Sequence, residues 1–145
     1  MVTNRSEGGC NTYSTKLSVS IHILCMIARN PDSSVTSDYI AGSIQTNPAL
    51  VRRLMSRLKK ANLIHTQTKL GATGLAKASS EISLMEIFRA VEPEQRIFDI
   101  HTDTNMKCPV GANIGKALTR IYDQVQENFE KQLEGIYLSD ILKIL

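Results

Sequence analysis

Apolar residues return at helical spacing along most of this chain, and one short stretch reads as a strand. Leu17 to Ala28 reads Leu-Ser-Val-Ser-Ile-His-Ile-Leu-Cys-Met-Ile-Ala, apolar on nearly all sides. Such a helix must be covered on more than one face, which in a small protein predicts packing on its own domain and on a neighbouring subunit. Asn30-Pro31-Asp32 ends it. Ser37 is placed to cap a short helix running to about Ile44, with Ile40, Ala41 and Ile44 facing inward. The next helix has a sharper chemical start, because Asn47 is a good N-cap and Pro48 suits the first helical position. Val51, Leu54, Met55 and Leu58 make its apolar stripe; Ala49, Arg52, Arg53, Ser56 and Lys60 fall opposite, with Arg57 and Lys59 on the flanks. Two helices joined only by Gln45 and Thr46 predict a helix-turn-helix, with Ala41 as its small residue and Gln45 standing where glycine is usual.

Behind the basic helix, Asn62 can take the left-handed conformation that ends it. Leu63-Ile64-His65-Thr66-Gln67 reads as a strand, Thr68 to Gly74 as a glycine-containing turn, and Leu75-Ala76-Lys77-Ala78 as a weak return strand. A hairpin so placed makes a winged helix. Lys69, near its tip, either meets phosphate or the minor groove or is an ordinary exposed lysine. Ser83-Leu84-Met85-Glu86 forms a capping box that opens a helix to about Val91, stopped by Pro93, and Glu94 to Lys107 reads as loop. Pro109 begins the longest helix, to about Glu134, on which Ile114, Leu118, Ile121, Val125 and Phe129 form a narrow seam. The expected partner of that seam is the same helix of a second subunit; the alternative is its own core. Ser139 is placed to cap a last helix from Asp140 to Leu145. The pattern predicts a mainly α fold with a small β-hairpin. The expected organisation is a flexible N-terminal extension over 1–13, a winged helix-turn-helix DNA-binding domain over 14–80, and a helical dimerisation region over 81–145 with a long crossing helix at about 109–134.

Charge sharpens this picture more than composition does. No Asp or Glu occurs from Tyr39 through Ser80, while Arg52, Arg53, Arg57, Lys59, Lys60, Lys69 and Lys77 put that segment at +7. The whole chain is at +3, so the remainder carries −4. A basic block beside an acidic remainder is the footprint of polyanion binding. No apolar run approaches a membrane span, and the first dozen residues lack the apolar segment of a signal peptide. Three widely spaced cysteines, Cys10, Cys25 and Cys108, argue against a disulfide framework and for a cytoplasmic setting.

The predicted contacts to double-stranded DNA are Ser37, Thr46, Asn47, Ala49, Arg52, Arg53, Ser56, Arg57, Lys60 and Lys69. An enzyme finds no support: His22, His65 and His101 are scattered, without nucleophile motif, phosphate loop or metal constellation. No catalytic residue, metal or cofactor is therefore assigned, and no small-molecule effector is named. Cys108 precedes Pro109 at a helix start beside Lys107, where dipole and charge lower a thiol pKa and favour the thiolate. It is either a redox or electrophile sensor or an inert capping residue. Cys25 falls in an apolar helix and reads as core. The competing function is a dimeric winged-helix adaptor that acts through protein partners without specific DNA binding.

Several segments carry a family resemblance: Leu54-Met55-Ser56-Arg57-Leu58-Lys59-Lys60-Ala61-Asn62-Leu63-Ile64, Gly71-Ala72-Thr73-Gly74-Leu75, Glu81 to Glu92, and Lys107-Cys108-Pro109-Val110-Gly111. Together they resemble the Rrf family of bacterial regulators, over about Ser14 to the C-terminus, with a pattern most similar to its cluster-free YwnA-like branch. The resemblance implies a homodimer of winged-helix domains joined by a long crossing helix, binding a pseudo-palindromic operator and usually repressing. It also matches Cys108 to the last of three cluster-ligating cysteines, while Arg96 and Thr102 stand near the other two. One thiolate does not hold a cluster that ordinarily needs several protein ligands, so no iron-sulfur cluster is expected.

Overall fold

The computed structural model describes residues 14–145, which form six α-helices and one two-stranded antiparallel hairpin. The expected flexible extension over 1–13, with Cys10, lies outside the described residues. The chain divides into two compact units with the boundary between Lys77 and Ala78.

The first unit holds α1 (Lys16–Ala28), α2 (Ser37–Ile44), α3 (Pro48–Lys60), β1 (Ile64–Gln67) and β2 (Gly71–Leu75). Helices α1 and α2 pack on α3, and α1 also packs on β2. The core joins Ile23, Leu24 and Ile27 of α1, Ile40 of α2 and Val51, Leu54 and Leu58 of α3. Leu17, Val19, Ile21 and Met26 of α1 are only partly covered. Thr36, not Ser37, caps α2: Thr36 has extended backbone and its hydroxyl accepts the Tyr39 N–H at 3.1 Å. Ser37 is already the first helical residue, one position too late to cap. Asn47 caps α3 as its sequence predicts, Oδ1 accepting the Ala49 N–H at 2.7 Å. Between the two helices Gln45 takes a left-handed φ of 63°, and both its N–H and that of Thr46 donate to the Ala41 carbonyl. At the other end of α3, Asn62 is left-handed as expected, with φ 62°.

The hairpin corrects the expected return strand. Strand β2 starts at Gly71 and ends at Leu75, so the turn shrinks to the three residues Thr68, Lys69 and Leu70. Thr66 pairs with Ala72 and Gln67 with Gly71, and an irregularity between His65 and Thr66 shifts the register. The reason lies outside the hairpin. Ala72 also exchanges both backbone hydrogen bonds with Val35, at 2.8 and 2.9 Å, which brings that backbone against the strand. Gly71, at φ 89°, permits the approach: a Cβ there would lie 2.5 Å from the Val35 carbonyl oxygen. A glycine that reads as turn thus serves close passage inside a strand.

The second unit contains a 3₁₀ turn at Ser79–Glu81, α4 (Leu84–Val91), α5 (Pro109–Glu134) and α6 (Leu138–Lys143). The Ser83 hydroxyl accepts the Glu86 N–H at 3.1 Å and opens α4, which is one half of the expected capping box. An antiparallel bridge between Ser83 and Tyr137 ties the start of α4 to the start of α6. Helix α4 packs on α5, with Phe88 and Phe129 edge to face at 5.6 Å. Ser139 does not cap α6, which begins one residue before it; the Asp140 carboxylate accepts the Tyr137 N–H at 2.9 Å instead. The loop before α5 is fastened to that helix. Gln126 Oε1 accepts the Ile97 N–H at 2.9 Å, its amide nitrogen donates to the Gln95 carbonyl at 2.7 Å, and Arg96 pairs with Asp123 at 3.0 Å.

Candidate nucleic-acid interface

The core fixes which way α3 faces. Val51, Leu54 and Leu58 are essentially without solvent contact, so the residues opposite them must face outward. Arg52, Arg53, Ser56, Arg57, Lys59 and Lys60 are all exposed, and Ala49 is half-buried near the helix start. Thr46 is half-buried in the turn, and exposed Asn47 commits its Oδ1 to the cap while keeping its amide nitrogen as a donor.

A groove of about 530 Å³ runs along one flank of this face. Helix α2 and its N-cap contribute Thr36, Ser37 and Asp38, α3 contributes Arg52, Met55, Ser56 and Lys59, and the hairpin contributes Thr66, Gln67, Lys69 and Gly71. Of the predicted contacts it brings together Ser37, Arg52, Ser56 and Lys69, whereas Thr46, Asn47, Ala49, Arg53, Arg57 and Lys60 lie outside it. Lys69 sits at the hairpin turn with φ 73°, a conformation that costs a residue with a Cβ and that fixes where its stem departs.

The groove adds Thr36, Asp38, Met55, Lys59, Thr66, Gln67 and Gly71 to the predicted set. Lys59 had a readable signal, since it follows Arg52 by two helical turns and shares its flank. The hairpin residues had none, because their facing depends on a register that Val35 sets. Asp38 approaches Arg52 at 4.0 Å with both side chains exposed, a pair worth about 0–1 kcal/mol to stability.

In the second unit, Cys108 is the exposed N-cap residue of α5. Its side chain makes no capping hydrogen bond, yet the nearby backbone N–H groups of Gly111 and then Val110 hold the thiol pKa below its ordinary value. Cys25 behaves oppositely: burial pushes its thiol up, against a smaller lowering by Arg29. Along α5, Ile121 and Val125 are exposed, at 53% and 38%. Ile114 and Leu118 are half-buried, and Phe129 is engaged by Phe88 within its own chain.

A family model described as Rrf2, iron-dependent transcriptional regulator, matches residues 13–144. The chain belongs to the Rrf2 family. This Rrf2 member is 38% identical over 131 residues to YwnA of Bacillus subtilis (strain 168), a protein named for a helix-turn-helix type of transcriptional regulator; the match covers 90% of this chain and 97% of that one. A crystal structure described as that of a DNA binding protein is 35% identical, with a TM-score of 0.71 over 88% of this chain and 98% of the other. The structure of CymR, the global cysteine regulator of B. subtilis, shares the fold at 17% identity, with a TM-score of 0.68 over 92% of this chain and 98% of that one. The fold is therefore that of winged-helix DNA-binding regulators, and the family and relatives are transcriptional regulators rather than enzymes.

The family description names iron. Among the described residues no three His, Cys, Asp or Glu side chains gather where they could hold a metal ion. Among the same residues no helix is long and apolar enough to cross a membrane.

Proposed function

We propose that this Rrf2 protein is a cytoplasmic, sequence-specific DNA-binding repressor that works as a homodimer on a pseudo-palindromic operator and responds to thiol oxidation through Cys108. The observation that carries the reading is the cationic outer face of α3, turned outward by its buried stripe and flanked by a groove that reaches Lys69 of the hairpin. Residues 14–80 supply the DNA-binding part. Helix α3 enters the major groove; Arg52 and Arg53 meet base edges or phosphates, while Asn47, Ser56 and Arg57 fix register. Ser37, Thr46 and Lys60 contact the backbone, Ala49 allows close approach, and Lys69 anchors the wing at phosphate or in the minor groove. Residues 81–145 supply dimerisation, supported by the exposed apolar side chains of Ile121 and Val125 on α5. A two-fold dimer would present its two α3 helices to half-sites about 34–36 Å apart, which makes the operator pseudo-palindromic.

The thiol response rests on the exposed, acidified Cys108 at the first turn of α5. With a peroxide, the thiolate attacks one oxygen, the O–O bond breaks, hydroxide leaves and the sulfur becomes sulfenic acid. The modification falls where Thr104 Oγ1 donates to the Gly111 carbonyl at 2.6 Å and the Cys108 N–H donates to Asn105. That local closure is what a larger, polar sulfur group disturbs.

Fluorescence anisotropy on DNA from upstream of the protein's own gene and on scrambled DNA, across a salt series, with and without hydrogen peroxide, tests the reading. Tight, salt-sensitive binding to the upstream DNA alone is expected, lost on oxidation, restored by reductant and insensitive to oxidant in Cys108→Ser. Equal weak binding to both DNAs would favour the adaptor reading, and oxidation sensitivity that survives Cys108→Ser would remove Cys108 as the sensor.

A further inference from the structure

One carboxylate stands in a groove whose other charged side chains are all cationic. Asp38 is the sole acidic residue among the described residues that line it, and Arg52, Lys59 and Lys69 line it too. It also immediately precedes the long stretch without Asp or Glu. A carboxylate on a surface that approaches phosphates weakens the attraction for every duplex alike, so its presence there has a cost. Its place in the first turn of α2 favours that helix electrostatically, yet any first-turn position would serve, including ones that face away from the groove. What distinguishes this position is its neighbour. Asp38 Oδ1 lies 4.0 Å from Arg52 Nη1, and Arg52 belongs to the next helix, on the side of α3 that borders the groove.

The chemistry of the pair follows from the shape of the guanidinium. Arginine presents five N–H donors in a planar fork and takes a carboxylate, a phosphate or the O6/N7 edge of guanine in the same plane. The Asp38 carboxylate, 4.0 Å from one edge and not hydrogen-bonded to it, competes with phosphate for that edge through its charge. In a loose, sequence-independent encounter, where Arg52 would otherwise serve as one more phosphate contact, Asp38 withholds it. In the seated complex the far edge remains available to a base. Specificity is a difference between two affinities, and a group that weakens the wrong complex more than the right one raises it.

We propose that Asp38 is a specificity-determining residue that positions the Arg52 guanidinium for a guanine edge and withholds it from phosphate. The inference rests on the reading of the protein as a sequence-specific DNA-binding regulator and names one device within that site. It predicts that removing the charge makes the protein bind random DNA better and its own sequence no better.

The test uses the full chain and two duplexes: the sequence that the wild-type protein enriches from a randomised library, and a scrambled version of it. Wild type, Asp38→Asn, Arg52→Lys and the double variant are titrated on both by anisotropy over a salt series, with thermal melts to show that all are folded. In Asp38→Asn the ratio of affinities for the two duplexes should fall up to about fivefold, the most that an exposed pair supplies, through tighter binding to the scrambled duplex. On scrambled DNA the slope of log K against log salt should steepen by about 0.9, the signature of one extra phosphate contact. Arg52→Lys keeps the charge but loses the fork, so Asp38→Asn should change the ratio little further in that background. A ratio and slope unchanged by Asp38→Asn, with wild-type preference intact, would overturn this inference alone and leave Asp38 a helix-end charge. An effect of the same size in the Arg52→Lys background would likewise overturn it. If wild type enriches no sequence from the library, the specific-regulator reading fails, and this inference falls with it.

Discussion

Helices α3 and α5 spend their apolar residues differently. Helix α3 has thirteen residues and buries four of them, Val51, Leu54, Met55 and Leu58, which is its whole apolar stripe apart from the first turn. Helix α5 is twice as long and buries only Gln126 and Leu133. Gln126 is buried because it binds the loop at Gln95 and Ile97, not because it packs as an apolar group. A helix whose stripe is used up inside its own unit can devote its other face to a ligand. A helix with Ile121 and Val125 left exposed resembles one half of a helix pair. The contrast separates two kinds of stability, one intrinsic to the chain and one that depends on protein concentration.

The largest expected effect comes from the exposed seam. Ile121→Glu puts a charge where two copies of α5 would meet, and should convert the protein to a monomer by analytical ultracentrifugation while the melt of dilute protein barely moves. Operator affinity should then fall by about 10²–10⁴-fold, the gain that two linked half-site contacts bring. A variant that stays dimeric and binds normally would place the subunit contact elsewhere. The opposite helix face gives the next effect. Leu54→Ala removes a side chain with 1% exposure, and should lower the unfolding free energy by about 2–5 kcal/mol in urea titrations, independent of protein concentration. A loss well under 1 kcal/mol would mean that the site collapses around the cavity and that α3 is held less by its stripe than by its caps.

The same contrast explains what could be read from the residues alone. Helix α3 was fully legible because its information is local: Asn47 and Pro48 mark the start, the stripe sets the facing and Asn62 marks the end. Helix α5 was legible in extent, from Pro109 to Glu134, but the use of its seam was not, since Phe129 is taken by Phe88 of α4, and that pairing depends on the fold. The hairpin failed at its second strand for a similar reason. Gly71 and Gly74 read as turn by composition, yet Val35, nearly forty residues earlier, draws Gly71 and Ala72 into the ladder. The caps at Thr36 and before α6 missed by a residue or two, because neighbouring hydroxyl and acidic residues offer equivalent chemistry and backbone geometry chooses among them. In the candidate site, the cations were visible from charge and periodicity. The Asp38–Arg52 approach was not, because it joins two helices across a turn.

The smallest expected effect contrasts the units through one thiol each. Cys108, exposed, has its pKa lowered by the Gly111 and Val110 N–H groups, so in the folded protein its thiolate appears at lower pH than in the unfolded chain. Its contribution to stability is present above the unfolded thiol pKa and fades as pH falls through the folded one. Cys25 has the opposite sign: burial raises its pKa, and its contribution is present at low pH and lost as pH rises through the folded value. In a Cys10→Ser background, iodoacetamide alkylation followed by peptide mass should show Cys108 reacting with a pH midpoint below that of the urea-unfolded protein. Cys25 should react only as fast as the chain opens. Equal midpoints for Cys108 folded and unfolded would remove the backbone dipoles as the cause of its acidity. Rapid native alkylation of Cys25 would show that α1 opens locally, and the first unit would then be the looser of the two.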